Sequence, residues 1–259
     1  MPPEYVAPHS SAVVVVPETG STQRDLAALA ADAESWPHMS GIRAERQTDG
    51  RGRGDRTWDT DELTALTASI VLRPELAAQR WTWIPLLVGR VLVDSLSGLR
   101  VGPALKWPND VVLHASTPVA GWGHWRKVAG ILAQVLPDRS GVVVGIGINL
   151  AGTPPVPWAT TVHEHGADVG AAALLELIRA RLARALATDP ATWRGAVEHV
   201  CSTIGSEVVV EGPGGARLQG LAVGLDESGG LVLENGRGDR RVVMAGDVQH
   251  LRTAPRPDR

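Results

Sequence analysis

The chain has 259 residues, of which 44% are hydrophobic and 20% are charged, and its formal net charge is -3. This composition is typical of a globular domain, and the slightly acidic balance argues against a broad nucleic-acid-binding surface, which is normally basic. The single cysteine, Cys201, excludes an internal disulfide bond and favours a reducing, cytoplasmic location.

The first predicted elements follow a tail of residues 1–12. Four valines at 13–16 predict a buried strand, which is too short to cross a bilayer and follows no basic segment, so we expect neither an anchor nor a signal peptide. A helix is predicted in GSTQRDLAALAADA, where Thr22 and Asp25 have capping-box spacing. The segment LTALTASIVL is predicted to end in a strand, and a long amphipathic helix is expected over 85–99.

The second half of the chain continues this mixed pattern. LKWPNDVVL predicts a tight turn followed by a strand, and ASTPVAGWGHWR predicts a loop. KVAGILAQVL and GVVVGIGINL predict two adjacent strands joined by the turn PDRSG. Helices are predicted over 174–186 and roughly 192–201. Beyond residue 202, short strands alternate with Gly-rich turns, a pattern typical of a small β-barrel.

The sequence therefore predicts an α/β (α+β) protein with two domains. We expect a main domain over 13–201, a small β domain over 202–253, and a second tail over 254–259.

An unusual segment, QTDGRGRGDRTW, alternates arginine with glycine. Glycines let backbone N–H groups approach an anion closely, and arginines add forked, charged donors. Trp58 at its end can stack on a flat heterocycle. The segment lacks the lysine and the spacing of a P-loop. A small-anion site and a flexible surface loop are therefore both open explanations.

Four other short motifs are weak when each is taken alone. GSTQ offers polar groups to a ligand, but serine and threonine there also suit a helix N-cap. KWPND and KVAGIL each carry one lysine, and turn chemistry alone explains the first. Gly145 and Gly147 interrupt the strand in GIGIN, which indicates a close approach to the backbone. HEH has no further histidine or cysteine cluster nearby, so no metal site is expected there.

Lysine is rare in this chain. Among 25 basic residues only Lys106 and Lys127 are lysine, and a coding bias towards arginine explains the rest. Lysine is hard to replace where a compact point charge must fit a tight space. Both lysines fall in the short motifs, which marks them as candidate site residues.

Taken in order, GSTQ, QTDGRGRGDRTW, KWPND, KVAGIL and VGIGIN resemble the motifs of the biotin protein ligases. The resemblance covers about residues 13–251. It implies a catalytic domain like that of class II aminoacyl-tRNA synthetases and an SH3-like C-terminal domain. It also implies an enzyme that makes biotinyl-5′-AMP from biotin and Mg-ATP and then acylates a lysine of biotin carboxyl carrier protein.

The resemblance also implies roles for individual residues. The catalytic residues would be Arg51, Arg53, Asp110 and Lys127, with Asp110 engaging the acceptor lysine or a metal. The biotin site would comprise Ser21, Thr22, Gln23, Gln47, Arg51, Gly52, Arg53, Lys127 and Gly130. The ATP site, with Trp58 against adenine, would comprise Arg51, Arg53, Arg56, Trp58, Lys106, Asn109 and Asn149. The expected cofactors are ATP and Mg²⁺, with biotin as substrate and no resident metal.

The sequence departs from the family pattern at several positions. Gln23 stands where asparagine is usual, Asp49 where alanine is common, Asp55 where many members have glycine, and Gln134 where glutamate is frequent. Asp49 would weaken ATP binding if its carboxylate pointed into the anion site.

Two alternatives remain open. The first is a lipoate or octanoate ligase or transferase of the same superfamily, which GRGR and KWPND argue against. The second is a non-catalytic nucleotide- or DNA-binding regulator. Some family members carry an N-terminal helix-turn-helix, but a first strand near residue 13 leaves no room for one, so DNA binding is not expected. The partner would be the carrier protein, with no membrane contact, and the enzyme would be a monomer or homodimer.

Overall fold

The computed structural model describes residues 3–54, 56–58, 60, 63–212, 217–244 and 247–250. In chain order, these residues form β1 (Val13–Thr19), α1 (Thr22–Leu29), β2 (Gly41–Gln47), β3 (Leu63–Leu72), α2 (Ile84–Ser97), β4 (Pro103–Lys106), β5 (Asp110–Val119), β6 (Gly123–Val135), β7 (Val142–Gly152), α3 (Ala171–Leu186), α4 (Trp193–Val200), β8 (Glu207–Glu211), β9 (Arg217–Leu225), β10 (Leu231–Glu234), β11 (Arg240–Val243) and β12 (Asp247–His250). No helix among them is both long and apolar enough to span a membrane.

The first seven strands form one mixed sheet in the order β1-β2-β3-β7-β6-β5-β4. Only β1 and β2 pair in parallel, and the other neighbours are antiparallel. The predicted α/β class is confirmed, as is the adjacency of the two strands around PDRSG, which are β6 and β7. Strand β2 was not predicted because charged residues interrupt its apolar alternation.

The two faces of this sheet differ in what they bury. Even-numbered residues of β7, from Val142 to Leu150, belong to the large core that packs beneath α2 and α3. Successive side chains of a strand point to opposite faces, so Val143, Gly145, Gly147 and Asn149 face the other side, where α1 lies. Val143 packs in a smaller core with Leu26 of α1. Beyond the N-terminus of α1, glycines replace apolar side chains on this face and leave room for a cavity.

Two local predictions were wrong. The cap of α1 is Ser21 rather than Thr22, since the Ser21 Oγ accepts from Arg24 N at 3.4 Å. Asp25 does not complete a capping box and instead accepts from the Tyr5 hydroxyl at 2.6 Å.

The segment ASTPVAGWGHWR is mostly strand rather than loop. β5 reaches Val119 and β6 begins at Gly123, so the two strands form a hairpin that extends past the neighbouring strands. Its turn is tight because Gly121 and Gly123 have positive φ angles of 73° and 56°, which glycine adopts without strain.

The C-terminal strands form a second, antiparallel sheet in the order β11-β10-β9-β8-β12. Its buried residues continue the large core of the first sheet. Two tryptophans also connect the sheets: Trp107 Nε1 donates to Gly229 O at 3.0 Å, and Trp83 Nε1 donates to Glu227 O at 2.8 Å. Trp107 lies in KWPND, so the C-terminal domain contacts this motif directly. The predicted domain boundaries stay predictions, and the tail over 254–259 lies outside the described residues.

Candidate active site

A cavity of about 600 Å³ lies on the α1 face of the first sheet. The structure brings all of the predicted site residues to its walls: Ser21, Thr22, Gln23, Gln47, Arg51, Gly52, Arg53, Arg56, Trp58, Lys106, Asn109, Asp110, Lys127, Gly130 and Asn149. These residues come from α1 and its N-cap, five strands and two connections, so only the folded chain places them together. Their individual roles stay predictions.

One end of the cavity is a buried polar network, which we call the polar pocket: Ser21, Thr22, Gln23, Gln47 and Ser69. Gln47 Oε1 accepts from Thr22 N at 2.8 Å and from Thr22 Oγ1 at 3.0 Å. The Thr22 and Ser69 hydroxyls are 2.9 Å apart, and Ser69 Oγ donates to Gln23 Oε1 at 3.3 Å. Every member is less than a tenth exposed. The network fixes the direction of several donors and acceptors in a site that water reaches poorly.

Two glycines of β7 form the cavity floor. A Cβ atom on Gly145 would lie 2.6 Å from Gln23 Oε1, and one on Gly147 would lie 2.5 Å from Trp58 Cε2. Both distances are too short for real contacts, so a side chain at either position would force Gln23 or Trp58 to move. The sequence predicts close approach here, and the structure shows that protein side chains, Gln23 and Trp58, make it. Trp58 thus lies against the sheet, while its role towards adenine stays a prediction.

The Arg-Gly segment closes on itself as a small hairpin above this floor. Gly52 N donates to Arg56 O at 2.8 Å, and Trp58 N donates to Gly50 O at 2.9 Å. Arg53 Nη1 reaches Asn109 Oδ1 at 3.3 Å, which links the segment to the KWPND turn. The described residues of the segment therefore form part of the cavity wall. Asp55 lies outside the described residues.

A short ion pair in the cavity joins two of the catalytic candidates. Lys127 Nζ lies 2.6 Å from Asp110 Oδ1, with side chains that are 24% and 15% exposed. It also lies 5.3 Å from the centroid of the Trp58 ring. The pairing follows from the register of the antiparallel strands β5 and β6. Val112 sits opposite Lys127, and Asp110 lies two residues before Val112 on the same strand. Sequence analysis did not foresee this contact because it joins residues on different strands.

The remaining polar candidates are held by backbone groups. Asn109 Nδ2 donates to Ile131 O at 2.8 Å, and Asn149 Nδ2 donates to Thr160 O at 3.0 Å. Lys106 is only 4% exposed, and its ammonium lies 4.4 Å from the centroid of the Trp122 ring. The two amide side chains are therefore fixed before any ligand binds.

Asp49 does not line the cavity, so the concern that its carboxylate points inward is not supported. It lies 2.6 Å from Arg24 Nη1 and 3.5 Å from Arg51 Nη2, with about half of its side chain exposed. The hydrogen bond from Arg24, followed by the charge of Arg51, lowers the pKa of Asp49 below its usual 3.8. Asp49 is thus a carboxylate at neutral pH, and it attracts the Arg51 guanidinium.

We expect the substitution Asp49→Ala to strengthen ATP binding modestly. It removes an exposed partner that competes with phosphate for Arg51, and such surface pairs are weak, so the KM for ATP should fall by only about two- to threefold. The matched control is Glu18→Ala, which breaks a similarly exposed pair with Arg46 at 2.6 Å outside the cavity. A rise in the KM for ATP would instead mean that Asp49 holds Arg51 in its working position.

Several wall residues were not foreseen. Ser69 completes the polar pocket, and two further tryptophans, Trp122 and Trp158, line the cavity. None of them belongs to a matched motif, and each reaches the cavity only through the fold. The HEH motif, by contrast, forms a short 3-10 turn at His163–His165. The described residues contain no group of three or more histidine, cysteine or acidic side chains that could hold a metal.

The fold and the cavity together define a class of protein: an α/β domain that joins a buried polar pocket to a group of cationic side chains. Such a cavity suits an enzyme that binds an acid beside a nucleotide.

Comparison with known proteins identifies the family. Residues 16–150 match the Biotin/lipoate A/B protein ligase family, and residues 203–251 match the Biotin protein ligase C terminal domain. The chain is 38% identical to a biotin--[acetyl-CoA-carboxylase] ligase of Mycobacterium tuberculosis, over 92% of this chain and 88% of the relative. It is 32% identical to the enzyme of that name from Paracoccus denitrificans, over 82% and 92% of the two chains.

A solved structure agrees with these matches. The biotin protein ligase from Aquifex aeolicus in complex with biotin and ATP superimposes with a TM-score of 0.73 at 27% identity, covering 93% of this chain and 99% of the other. The chain therefore belongs to the biotin protein ligase family, and its fold is that of a catalytic α/β domain with a small SH3-like C-terminal domain.

Proposed function

We propose that this chain is a biotin–[acetyl-CoA-carboxylase] ligase, which activates biotin with ATP and transfers the biotinyl group to a lysine of biotin carboxyl carrier protein. The observation that carries the proposal is the cavity itself. It runs from the polar pocket to Arg51, Arg53 and Lys127, and so offers a neutral hydrogen-bonding end and a cationic end within one enclosure.

The first chemical step requires such an arrangement. A carboxylate oxygen of biotin attacks the α-phosphorus of ATP, the bond to the bridging oxygen breaks, and pyrophosphate leaves. Two unit negative charges at about 4 Å repel by about 4 kcal/mol at an effective dielectric constant near 20, so cations must lie between them. We assign this task to Arg51, Arg53 and Lys127. Donors fixed in advance around the phosphorus lower the barrier without reorganising during the reaction.

The second step consumes the mixed anhydride. The carrier lysine, as a free amine, attacks the acyl carbon, the bond to the phosphate oxygen breaks, and AMP leaves. We propose that the Asp110 carboxylate, which lies 2.6 Å from the Lys127 ammonium, takes the proton that the acceptor lysine must lose before it attacks as a free amine. The walls contributed by Trp58 and Trp158 would limit hydrolysis of the anhydride by excluding water.

Mg²⁺ enters this scheme as part of the substrate Mg-ATP. Mg²⁺ usually takes one or two protein carboxylates together with substrate phosphates, and Asp110 is a carboxylate in the cavity that fits this requirement. The Mg²⁺ ion would neutralise charge on the phosphate oxygens. The buried free thiol of Cys201 accords with the cytoplasmic location that we propose.

A lipoate ligase is the second candidate in the same superfamily, and the polar pocket argues against it. The ureido group of biotin has two N–H donors and one carbonyl acceptor, which can pair with the hydroxyl and amide groups of Thr22, Gln23 and Gln47. A dithiolane ring offers no such partners, so the capacity of these buried groups for further hydrogen bonds would stay unused, which costs affinity.

The direct test is exchange of labelled pyrophosphate into ATP, run with biotin, with lipoate and with neither acid. We expect exchange that requires biotin. Exchange with lipoate alone would replace the substrate while keeping the adenylation chemistry. Absence of exchange with either acid would contradict the proposed function. Mass spectrometry of a carrier domain then checks transfer of one biotinyl group to its lysine.

A further inference from the structure

The turn of the β5–β6 hairpin carries no matched motif, yet it contributes a wall of the cavity. Its turn places Trp122 between two glycines with positive φ angles, and Trp122 N donates to Val119 O at 3.1 Å. Positive φ angles favour glycine at both neighbours, so the backbone that carries the indole follows a defined turn. Trp122 lines the cavity beside Lys106.

A buried arginine holds the hairpin at its base. Arg126, which is 8% exposed, donates to the carbonyls of Gly123 at 3.2 Å and Trp125 at 2.9 Å, and also to that of Thr117 across the hairpin. These bonds satisfy the guanidinium and tie the two strands together. These contacts hold the shape of the hairpin, which therefore can position another group.

The group that it meets is the Lys106 ammonium. This cation is almost fully buried and lies over the Trp122 ring at 4.4 Å from its centroid, well within the range of a cation–π contact. Such contacts are strongest where water is excluded, because the ring face then replaces part of the hydration shell. Lys106 ends β4, and its backbone is paired with Asp110 in β5. The backbone of Lys106 is therefore held in the sheet, and the Trp122 ring directs its ammonium group.

We propose that Trp122 is a positioning residue that holds the Lys106 ammonium in place for the triphosphate of ATP. This inference rests on the proposed function and deepens it, because it adds a residue outside the family motifs that controls nucleotide affinity. Trp122 itself does not touch the reacting atoms. The polar pocket lies at the other end of the cavity, so biotin affinity should not depend on Trp122.

Three variants test the proposal in the full chain. Trp122→Leu keeps apolar volume but removes the ring, and Trp122→Phe restores a ring face. The matched control is Trp125→Ala in the same hairpin, whose indole packs edge-on against His114 at 5.5 Å between centroids and does not line the cavity. Steady-state pyrophosphate exchange gives the KM for ATP and for biotin separately, and thermal unfolding reports the folding of each variant.

We expect Trp122→Leu to raise the KM for ATP by about tenfold, the size of a desolvated cation–π contact, with the KM for biotin within about twofold. Trp122→Phe and Trp125→Ala should stay near the parent enzyme. An unchanged KM for ATP in Trp122→Leu, an equal rise for biotin, or an equal effect of Trp125→Ala would overturn the proposal. Biotin-dependent exchange by the parent enzyme is scored first, so a failure of the proposed function is distinguishable from a failure of this inference.

Discussion

The substitution Lys127→Met is expected to reduce biotin-dependent pyrophosphate exchange by about 10²- to 10³-fold, the loss typical of removing one fixed donor from a reacting oxyanion. The ammonium lies in the cavity and is only a quarter exposed, so its charge is poorly screened. Methionine preserves most of the side-chain length and apolar contact while removing the charge. The measurement is the exchange rate at saturating ATP and biotin, which reports the loss at the chemical step.

The same substitution leaves Asp110 without its cation, and this second effect must be separated. The double variant Asp110→Asn/Lys127→Met removes both charges. If the loss came from an orphaned carboxylate that repels phosphate, the double variant would recover most of the activity. We expect it to stay as slow as Lys127→Met. The matched control is Arg240→Ala, which removes a cation from an exposed ion pair with Glu234 in the second sheet and should leave exchange unchanged.

The substitution Thr22→Val should have its large effect on biotin rather than on ATP. Valine has nearly the same shape as threonine, but it removes the hydroxyl that contacts Gln47 and Ser69, so Gln47 Oε1 and Ser69 Oγ each lose one of two hydrogen-bond contacts in a buried site. Sites built to hydrogen-bond a substrate lose affinity steeply when that pairing fails, so we expect the KM for biotin to rise by about 10- to 100-fold. Initial rates at varied biotin and fixed ATP measure the change.

A neighbouring threonine provides the control. Thr67 lies on β3 two residues before Ser69, is also buried, and donates to Ala44 O at 2.8 Å, but it does not line the cavity. Thr67→Val should therefore lower stability by about 0.5–1.5 kcal/mol, as loss of a typical hydrogen bond does, without changing the KM for biotin. An equal rise in KM for both variants would mean that the effect of Thr22→Val reflects general softening of this part of the sheet.

The sequence predicts most of the fold because long periodic segments determine local structure. α2, α3 and the β6–β7 pair are of this kind, with apolar spacing that matches one helix face or one sheet face. β2 escaped prediction because its charged residues obscure the alternation. The β5–β6 hairpin escaped because glycine and proline are usual in loops, whereas here two glycines make a tight turn within a strand pair.

The candidate site divides in the same way. The predicted site residues of the matched motifs all line the cavity, because the fold brings these motifs to one face of the sheet. The contacts between them were beyond sequence reasoning: the Lys127–Asp110 pair depends on the register of β5 and β6, and the Lys106–Trp122 contact depends on how the hairpin turns back. Neither the register nor the turn direction is encoded by a local pattern.

The position of both lysines in the cavity makes this chain suited to isotope-labelling spectroscopy. Apart from the α-amino group, Lys106 and Lys127 are its only primary amines, and both line the cavity. Biosynthetic incorporation of isotope-labelled lysine leaves both side chains, including the buried Lys106, chemically unchanged. The labelled protein would give one side-chain NMR signal from each lysine, with no background from surface lysines. Each signal would then follow events at a known place in the active site.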